Sequence, residues 1–414
     1  MQTGAREWRN YWTLPLAAAL GNSASVLHIY SIGPFMASLE SEFGWSRAQI
    51  SVGLTIAGAI TAIGGIGTGI LLDRFGPRRV GIIGAAALCA LYALLGTATG
   101  SILNWILLWA LIGIAAAGVT PTIWTSAVAS RFDASRGLAI ALTISGSGIA
   151  ATIIPVIAAW IIGGYGWRAG FFGLAGIWAL ALLPMLMLFF YGRQDQRKGP
   201  SSSAEVHAGG SLPGLTLREG LRSAAFYKLG VAAMLFSFGV IGLIVHLVPV
   251  LQDRGLDRLG AASVAGLVGL SSIAGRLGTG FLLDRFRASR VGMAAFLLPT
   301  ISTLLLLIGD GTFALAVAAL VLGLSLGSEL DVVLYFATRY FGLKRFGVLF
   351  ATMAIGMAIG TSLGPVSAGA VYDVFGSYNN FLLLIFPIVI LGSALIATLG
   401  PYPDHGEEIE IRAG

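Results

Sequence analysis

Charged residues are scarce in this chain of 414 residues. Asp, Glu, Lys and Arg together make up 11% of it, whereas soluble domains carry roughly 25%. Hydrophobic residues make up 56%, and the mean hydropathy is +0.86. So few charges cannot cover the surface of a soluble domain of this length, and the long uncharged runs favour helices that span a membrane.

Cysteine is nearly absent as well. Cys89 is the only one and lies within a hydrophobic run, which excludes a disulfide and a cysteine-based metal site. The sequence also lacks a phosphate-binding loop, a His/Cys/carboxylate cluster with metal spacing, and a Ser/His/acid arrangement. We therefore expect neither an enzyme nor an ATP-driven pump, and no cofactor. The first hydrophobic run is a full span rather than a cleavable signal peptide.

Twelve hydrophobic runs are long enough to cross a bilayer, which takes about 20 helical residues each. The 58 glycines suit the close packing of membrane helices. The sequence therefore predicts an all-α membrane protein with twelve transmembrane helices. Their predicted ranges are 11–36, 50–72, 80–99, 102–130, 137–163, 170–191, 226–251, 260–283, 291–309, 312–340, 347–371 and 379–400.

Positive charge is distributed unevenly between the two sides of these spans. If the N-terminus is cytoplasmic, 20 of the 25 Lys and Arg residues lie on the cytoplasmic side and four on the other, with Arg276 inside the membrane. By the positive-inside rule, both termini are therefore expected in the cytoplasm. The net charge of +6 then reflects topology, not a nucleic-acid partner. We expect a multi-pass protein of the inner (plasma) membrane that functions as a monomer.

The two halves of the chain repeat one another. The run GILLDRF from Gly69 to Phe75 recurs as GFLLDRF from Gly280 to Phe286. Parallel repeats with a binding site at their interface are typical of secondary transporters. We predict two pseudo-symmetric six-helix bundles, 1–192 and 223–414, the second with a short polar tail. A cytoplasmic linker, 193–222, joins them and has a flexible composition.

Arg276 is the only charged residue in the predicted span 260–283. Arginine stays protonated in proteins, and a charge at the centre of a membrane helix costs at least about 2.5–3.5 kcal/mol. Such a residue faces a water-filled cavity or a fixed anion. We predict that Arg276 binds an anionic substrate. A structural salt bridge to an acid on another helix is the alternative.

The predicted span 312–340 carries two carboxylates near its middle, Glu329 and Asp331. Asp331, Tyr335 and Arg339 follow one another at four-residue intervals and so share one helix face, whereas Glu329 points about 200° away from Asp331. A carboxyl group held out of water can exchange a proton near neutral pH. We predict that one of the two couples transport to protons. A structural role as partner of Arg339 or of a loop arginine is the alternative.

Charged residues also gather at the ends of the second and eighth predicted spans. Asp73 is followed by Arg74 and Arg78, and in the repeat Asp284 is followed by Arg285. A carboxylate among guanidinium groups at a membrane edge can form charge-assisted bonds to a neighbouring helix end. We predict a conformational latch from these five residues, weaker in the second copy. Simple anchoring by positive charge is the alternative.

The pattern Gly-x-x-x-Asp-Arg-Phe-Gly-Pro-Arg-Arg from Gly69 to Arg79 resembles the signature loop of the major facilitator superfamily. The segment Glu42-Phe-Gly-Trp-Ser-Arg47 resembles its monocarboxylate-porter branch, which includes the oxalate/formate antiporters. Arg276 fits that branch, and the similarity extends over all twelve spans. The resemblance implies the major facilitator fold. Animal members of the branch carry an Asp four residues before the helix 8 arginine, where this chain has Ser272, and some carry a Lys in helix 1, where it has only His28.

Further residues within or beside the spans are candidates for the substrate cavity. The resemblance implies that the part of helix 7 near His246 faces the substrate path. As a lone histidine in an apolar helix, His28 is equally consistent with a hydrogen-bonded packing role. Trp124 is equally consistent with a lipid-facing position, and Asp253 with a solvated rim charge. The substrate-binding candidates are Arg276, Tyr335, His28, His246, Trp124, Thr120 and Ser272, and the proton-coupling candidates are Asp331, Glu329 and Asp253.

The sequence thus predicts a secondary transporter of small organic monocarboxylate anions, moved together with protons by alternating access. Its partners would be the carboxylate, protons and the lipid bilayer. One alternative is a proton-independent anion exchanger of the oxalate/formate type, and another is an exporter of a larger amphipathic compound. A membrane sensor on the same scaffold would normally carry a soluble output domain.

Overall fold

In the computed structural model the chain is almost entirely helical. The structure describes residues 4–193, 214–342 and 344–403. Most of the predicted linker and of the polar tail lies outside these ranges. The helices are α1 (Gly4–Tyr11), α2 (Thr13–Ala24), α3 (Leu27–Phe43), α4 (Arg47–Leu94), α5 (Ile102–Ala117), α6 (Pro121–Ala129), α7 (Arg136–Phe189), α8 (Leu217–Arg222), α9 (Ala224–Asp253), α10 (Arg258–Arg285), α11 (Ala288–Ile308), α12 (Gly311–Phe341), α13 (Phe346–Phe375) and α14 (Asn379–Ala397).

Twelve segments of the described chain cross the membrane. Ten apolar helical stretches are long enough to span it, and two of them lie in α4. One of these, α7, is 54 residues long and turns back at Gly166, so it holds two spans. The first span is divided into α2 and α3, of 12 and 17 residues, and adds the twelfth. The predicted fold class is confirmed.

Two of the helical hairpins turn at a single glycine. Gly76 in α4 and Gly166 in α7 have φ values of 77° and 83°, a left-handed conformation that favours glycine because it has no Cβ. The two arms of α4 pack on the same helix, since Gly64 lies against Ala117 and Gly84 against Gly118. The chain therefore reverses direction within each of α4 and α7 without a longer loop.

Each half of the described chain has its own hydrophobic core. The first core is built almost wholly from buried residues between Leu14 and Phe190, and the second from residues between Phe226 and Leu399. Glycines allow the helices of one bundle to touch at backbone distance. A Cβ on Gly146 in α7, for example, would lie 1.9 Å from the carbonyl oxygen of Ala19 in α2. The molecule is thus two helical bundles, and functional groups can be placed between them.

A short helix precedes the first span of each bundle. In α1, the Glu7 carboxylate accepts hydrogen bonds of 3.0 Å from the backbone N–H groups of Asp133, Ala134 and Ser135, just before α7 begins. These bonds, the one from Ala134 first, lower the pKa of Glu7. In the second half, the residues before α8 meet the turn after α12, where the N–H of Leu215 donates to the carbonyl of Phe341 at 2.9 Å. Both short helices therefore brace the turn before the fifth span of their bundle.

Candidate functional site

The two bundles touch on one side of the membrane and are apart on the other. We call the side with α1 and the end of α14 the termini side, and the opposite side the far side. In the half of the membrane-spanning region next to the far side (the far half), the bundles are in contact. Thr55 Oγ1 donates to the carbonyl of Ser362 at 2.6 Å, and a Cβ on Gly269 would lie 2.3 Å from an α7 carbonyl oxygen. In the termini-side half, Gly65 and Gly280 lie on the same helix faces as Gly58 and Gly269, and a Cβ on either would meet no atom within 4 Å. A cleft between the bundles therefore opens toward the termini side.

Arg276 of α10 lies beside Asp331 of α12. Its Nη1 is 3.5 Å from Asp331 Oδ1, and the two side chains are 21% and 25% exposed. Glycines explain the close approach, because a Cβ on Gly275 would lie 2.2 Å from the carbonyl oxygen of Leu324 in α12. The pair lies within one bundle and its distance is long for an ion pair. The structure therefore contains the acidic partner that the salt-bridge alternative requires. The contact involves one guanidinium nitrogen, so most of the N–H donors of Arg276 are not bonded to Asp331.

Tyr30 of α3 approaches this pair from the other bundle. Its ring packs against both hydrophobic cores, and its hydroxyl lies close enough to Arg276 to interact with that charge. Sequence reasoning missed Tyr30 because a tyrosine in an apolar run carries no charge that marks it. Its position two residues after His28 was the only available signal. The Arg276–Asp331 pair and Tyr30 together form the candidate substrate site.

Tyr335 and Ser272 flank the pair with different surroundings. Tyr335 is partly buried one helical turn beyond Asp331, with the Arg339 guanidinium 5.5 Å from its ring centre. Ser272 donates its hydroxyl to the carbonyl of Gly269 in its own helix at 2.7 Å. The carboxylate beside Arg276 therefore comes from Asp331 on the neighbouring helix, and not from its own helix.

Glu329 has a separate environment inside the second bundle. It is 6% exposed and accepts a hydrogen bond of 2.7 Å from Ser237 Oγ of α9. Asp331, two residues later, faces α10 instead. The two carboxylates thus have different partners, and only Asp331 contacts Arg276.

The two predicted histidines lie away from the arginine. His28 is buried in the first bundle with its ring 6.3 Å from that of Trp109, edge to face. His246 is fully buried in the far half, where its Nε2 donates to the carbonyl of Pro365 at 2.8 Å and lies 3.1 Å from Ser51 Oγ. Because a carbonyl only accepts, Nε2 carries the proton, and Nδ1 accepts from the Tyr378 hydroxyl at 2.7 Å. His246 therefore belongs to the far-side contact.

Trp124 and Thr120 lie at a break in the fourth span, and their role in substrate binding stays a prediction. Trp124 is fully buried in the first bundle, its ring covers Gly21 and Gly81, and its Nε1 donates to the carbonyl of Val119 at 2.9 Å. That carbonyl is available because the fourth span is broken between α5 and α6. Thr120 is the N-cap residue of α6 at this break. The Trp124 indole therefore satisfies a backbone carbonyl at the interruption of the helix.

Asp253 also lies elsewhere. Its carboxylate is 3.7 Å from Nη1 of Arg47 on the far side. It is therefore not a neighbour of Arg276, and its role in proton coupling stays a prediction. Its charge balances an arginine that the sequence places in a loop.

The predicted latch residues make their described contacts within their own bundles. Arg78 donates to the carbonyl of Met187 at 2.7 Å and to the Tyr191 hydroxyl at 2.9 Å, which ties the α4 hairpin to the end of α7. Arg74 and Arg285 lie over Phe75 and Phe281 of the same stretches of chain. Asp73 and Asp284 are exposed on the termini side, where the bundles are apart. A latch between bundles stays a prediction for a state in which that side is closed.

The fold and the charged pair in a cleft between two bundles define a membrane transporter. The sequence matches the family model described as Major Facilitator Superfamily over residues 18–328, so the chain belongs to that superfamily. This confirms the family predicted from the signature loop.

The alignments with two curated relatives cover most of each relative and most of this chain. The chain is 25% identical over 390 residues to monocarboxylate transporter 13 of Rattus norvegicus, covering 94% of this chain and 88% of that protein. It is 24% identical over 371 residues to the gallate transporter of Pseudomonas putida, covering 79% and 81%. Its fold is similar to the crystal structure of a bacterial homologue of the human lysosomal transporter Spinster, with a TM-score of 0.70, 16% identity and coverage of 94% and 98%.

Proposed function

We propose that this transporter carries small organic monocarboxylate anions together with protons, by alternating access. The observation that carries the proposal is the Arg276–Asp331 pair, 3.5 Å apart and partly exposed in a cleft between the bundles. The guanidinium is a permanent cation with donors free to bind a carboxylate in a forked geometry. Relatives named for monocarboxylates and for gallate, itself a carboxylate, support this substrate class.

Charge balance links the substrate to a proton. Without substrate, Arg276 and ionised Asp331 together are neutral, so the empty site can move across the membrane without carrying net charge. When Asp331 takes up a proton, Arg276 loses its counter-ion and can accept the substrate carboxylate, and the site is neutral again. A bound anion beside an ionised Asp331 would leave a net negative charge in a medium that penalises it. Proton and anion therefore bind together.

The surrounding residues would position the remainder of the substrate. Tyr30, from the opposite bundle, can donate its hydroxyl to the bound carboxylate, which makes the anion a bridge between the bundles. Tyr335 offers an aromatic surface one turn from Asp331. Glu329 would be a structural group held by Ser237, because its one described partner lies inside the second bundle. Specificity among apolar side groups would be low, since one methylene changes binding by about 1–3 kcal/mol.

We also propose that the termini side is the cytoplasmic side of the inner membrane. The distribution of Lys and Arg supports this orientation by the positive-inside rule. With this orientation, the open cleft faces the cytoplasm. The protein would function as a monomer, because each chain contains both bundles and the site between them.

The test is uptake of a labelled carboxylate panel into proteoliposomes, with and without an imposed pH gradient. We expect accumulation that follows the gradient, and no accumulation of the neutral amide of the same acid. Arg276→Ala should lower uptake at least tenfold, and Arg276→Lys should restore little because lysine lacks the forked donors. Arg258→Ala, which removes an equal charge at the far-side start of the same helix, is the matched control and should transport normally.

Two outcomes would contradict the proposal in different ways. Normal carboxylate transport by a folded Arg276→Ala variant would remove Arg276 from the substrate site. Full counterflow without any net gradient-driven uptake would show anion exchange without protons and leave the substrate class intact.

A further inference from the structure

We propose that Arg47 and Asp373 form a far-side gate in which one bundle caps a helix of the other, and that this gate sets how often the transporter opens to the far side. The proposal rests on the proposed function only in requiring that the bundles part on that side. Arg47 begins α4 in the first bundle, and Asp373 lies near the end of α13 in the second. Neither residue is near Arg276, so the gate is separate from the substrate site.

Asp373 supplies hydrogen bonds that a helix end normally finds within its own chain segment. The first four N–H groups of a helix have no partner inside it. In α4, Ser46 Oγ accepts from the N–H of Gln49, as an ordinary N-cap does. The N–H groups of Arg47 and Ala48 instead donate to the two oxygens of Asp373, each at 2.9 Å. Capping of this helix is therefore completed only while the bundles are in contact.

The Arg47 side chain reinforces the same contact. Its guanidinium lies 3.5 Å from the ring centre of Tyr372 and 3.7 Å from the Asp253 carboxylate, both in the second bundle. Its Nε donates to Glu40 of its own bundle at 2.8 Å. The side chain is only 9% exposed, so these charges are largely withdrawn from water. Arg47 thus lies between an aromatic ring of the second bundle and carboxylates of both bundles. These contacts hold the two bundles together on the far side, which a solvated loop charge would not do.

The gate continues down one face of α4. Ser51 lies 3.1 Å from His246 Nε2, Thr55 donates to the carbonyl of Ser362, and Gly58 leaves space for the Ser362 hydroxyl. Together with Arg47, these positions follow at intervals of four, four and three residues, which places them on one side of a helix. Every one of these contacts is polar or made by a glycine. Water can replace these polar contacts when the bundles part, which makes the closure reversible.

The test measures the far-side distance directly, with no substrate present. Spin labels on Thr97→Cys and Thr312→Cys, in a Cys89→Ala background, mark the far-side ends of the two bundles, and pulsed dipolar spectroscopy reports their distance distribution. We expect one short distance in the parent protein. Asp373→Asn should lower the ratio of closed to open molecules about tenfold, because the amide keeps one acceptor oxygen and one charge-assisted hydrogen bond is lost. Asp310→Asn is the matched control, because Asp310 is a far-side aspartate whose side chain makes no capping bond to α12.

A second variant covers the case in which Asp373→Asn fails to fold. Thr55→Val keeps the shape of the side chain and removes one inter-bundle hydrogen bond, which should lower the closed-to-open ratio about threefold to fivefold. A distance distribution unchanged from the parent in the folded variants overturns the gate. Such a result would not contradict the proposed carboxylate transport, whereas Arg276→Ala, expected to lower uptake at least tenfold, should keep the parent distances.

Discussion

Gly269 lies where α10 of the second bundle crosses α7 of the first, in the far half of the contact. A Cβ added there would lie 2.3 Å from the carbonyl oxygen of Gly148, 2.4 Å from Thr152 N and 2.5 Å from Thr152 Oγ1. Two of these three atoms are backbone, so a side-chain rotation cannot relieve the overlap. The helices must separate by about 1 Å to restore ordinary contact. Gly269→Ala should therefore oppose closure of the far side.

The magnitude follows from the cost of overpacking, typically about 1–3 kcal/mol. Each ~1.4 kcal/mol changes an equilibrium constant by a factor of ten. The ratio of closed to open molecules should therefore decrease by about fivefold to a hundredfold. The open state relieves the clash, so the penalty should appear as a change of conformation more than as loss of the fold. Gly278→Ala in the same helix is the matched control, since a Cβ there meets nothing within 4 Å.

The assay combines the far-side distance measurement with thermal unfolding. Cys89 is buried, at 3% exposure, so a thiol-reactive dye reports unfolding in protein without spin labels. We expect a longer far-side distance for Gly269→Ala with a melting temperature near that of the parent, and parent values for Gly278→Ala. If Gly269→Ala keeps both the parent distance and the parent melting temperature, the crossing is looser than described and the reasoning fails.

Two further predictions concern carboxylates. Asp331→Asn should abolish accumulation driven by a pH gradient but keep counterflow, whereas Glu329→Gln should keep accumulation and lower the melting temperature; equal transport in both would remove Asp331 from coupling. The bonds that lower the pKa of Glu7 stabilise the fold above its ordinary value of 4.5, and this contribution is lost as pH falls through the lowered pKa. The melting temperature of the parent should therefore exceed that of Glu7→Gln at pH 7, and the difference should shrink on acidification; a constant difference would show that the Glu7 charge is not involved.

The sequence predicted what depends on hydropathy and isolated charge. A run of uncharged residues has few alternatives to a spanning helix, and a lone Arg276 within one has few alternatives to a partner or a cleft. The sequence does not indicate which residues of distant segments are in contact. The partner of the α4 N-terminus is Asp373, more than 300 residues away, and nothing local to either residue indicates the other. The sequence could not decide the role of Trp124 either, because an indole in an apolar run can line a cavity or, as here, donate to a carbonyl at a broken helix.

The single signal of the far-side gate was the spacing of small polar residues along the second span. Arg47, Ser51, Thr55 and Gly58 lie on one face, and a face of that kind indicates a contact with another helix. Arg47 was instead counted as one of four positive charges on the far side. Its burial could not be foreseen, because the aromatic ring that covers it belongs to the other bundle.

The separate cores of the two bundles have a consequence for how such a protein changes over generations. Folding yield depends mainly on the apolar residues inside each bundle, whereas the preference for one open side depends on the seam of contacts between the bundles. Substitutions in the seam can therefore alter the resting conformation while the amount of folded protein in the membrane stays the same. A lineage can therefore adjust the rate of transport without first gaining additional fold stability.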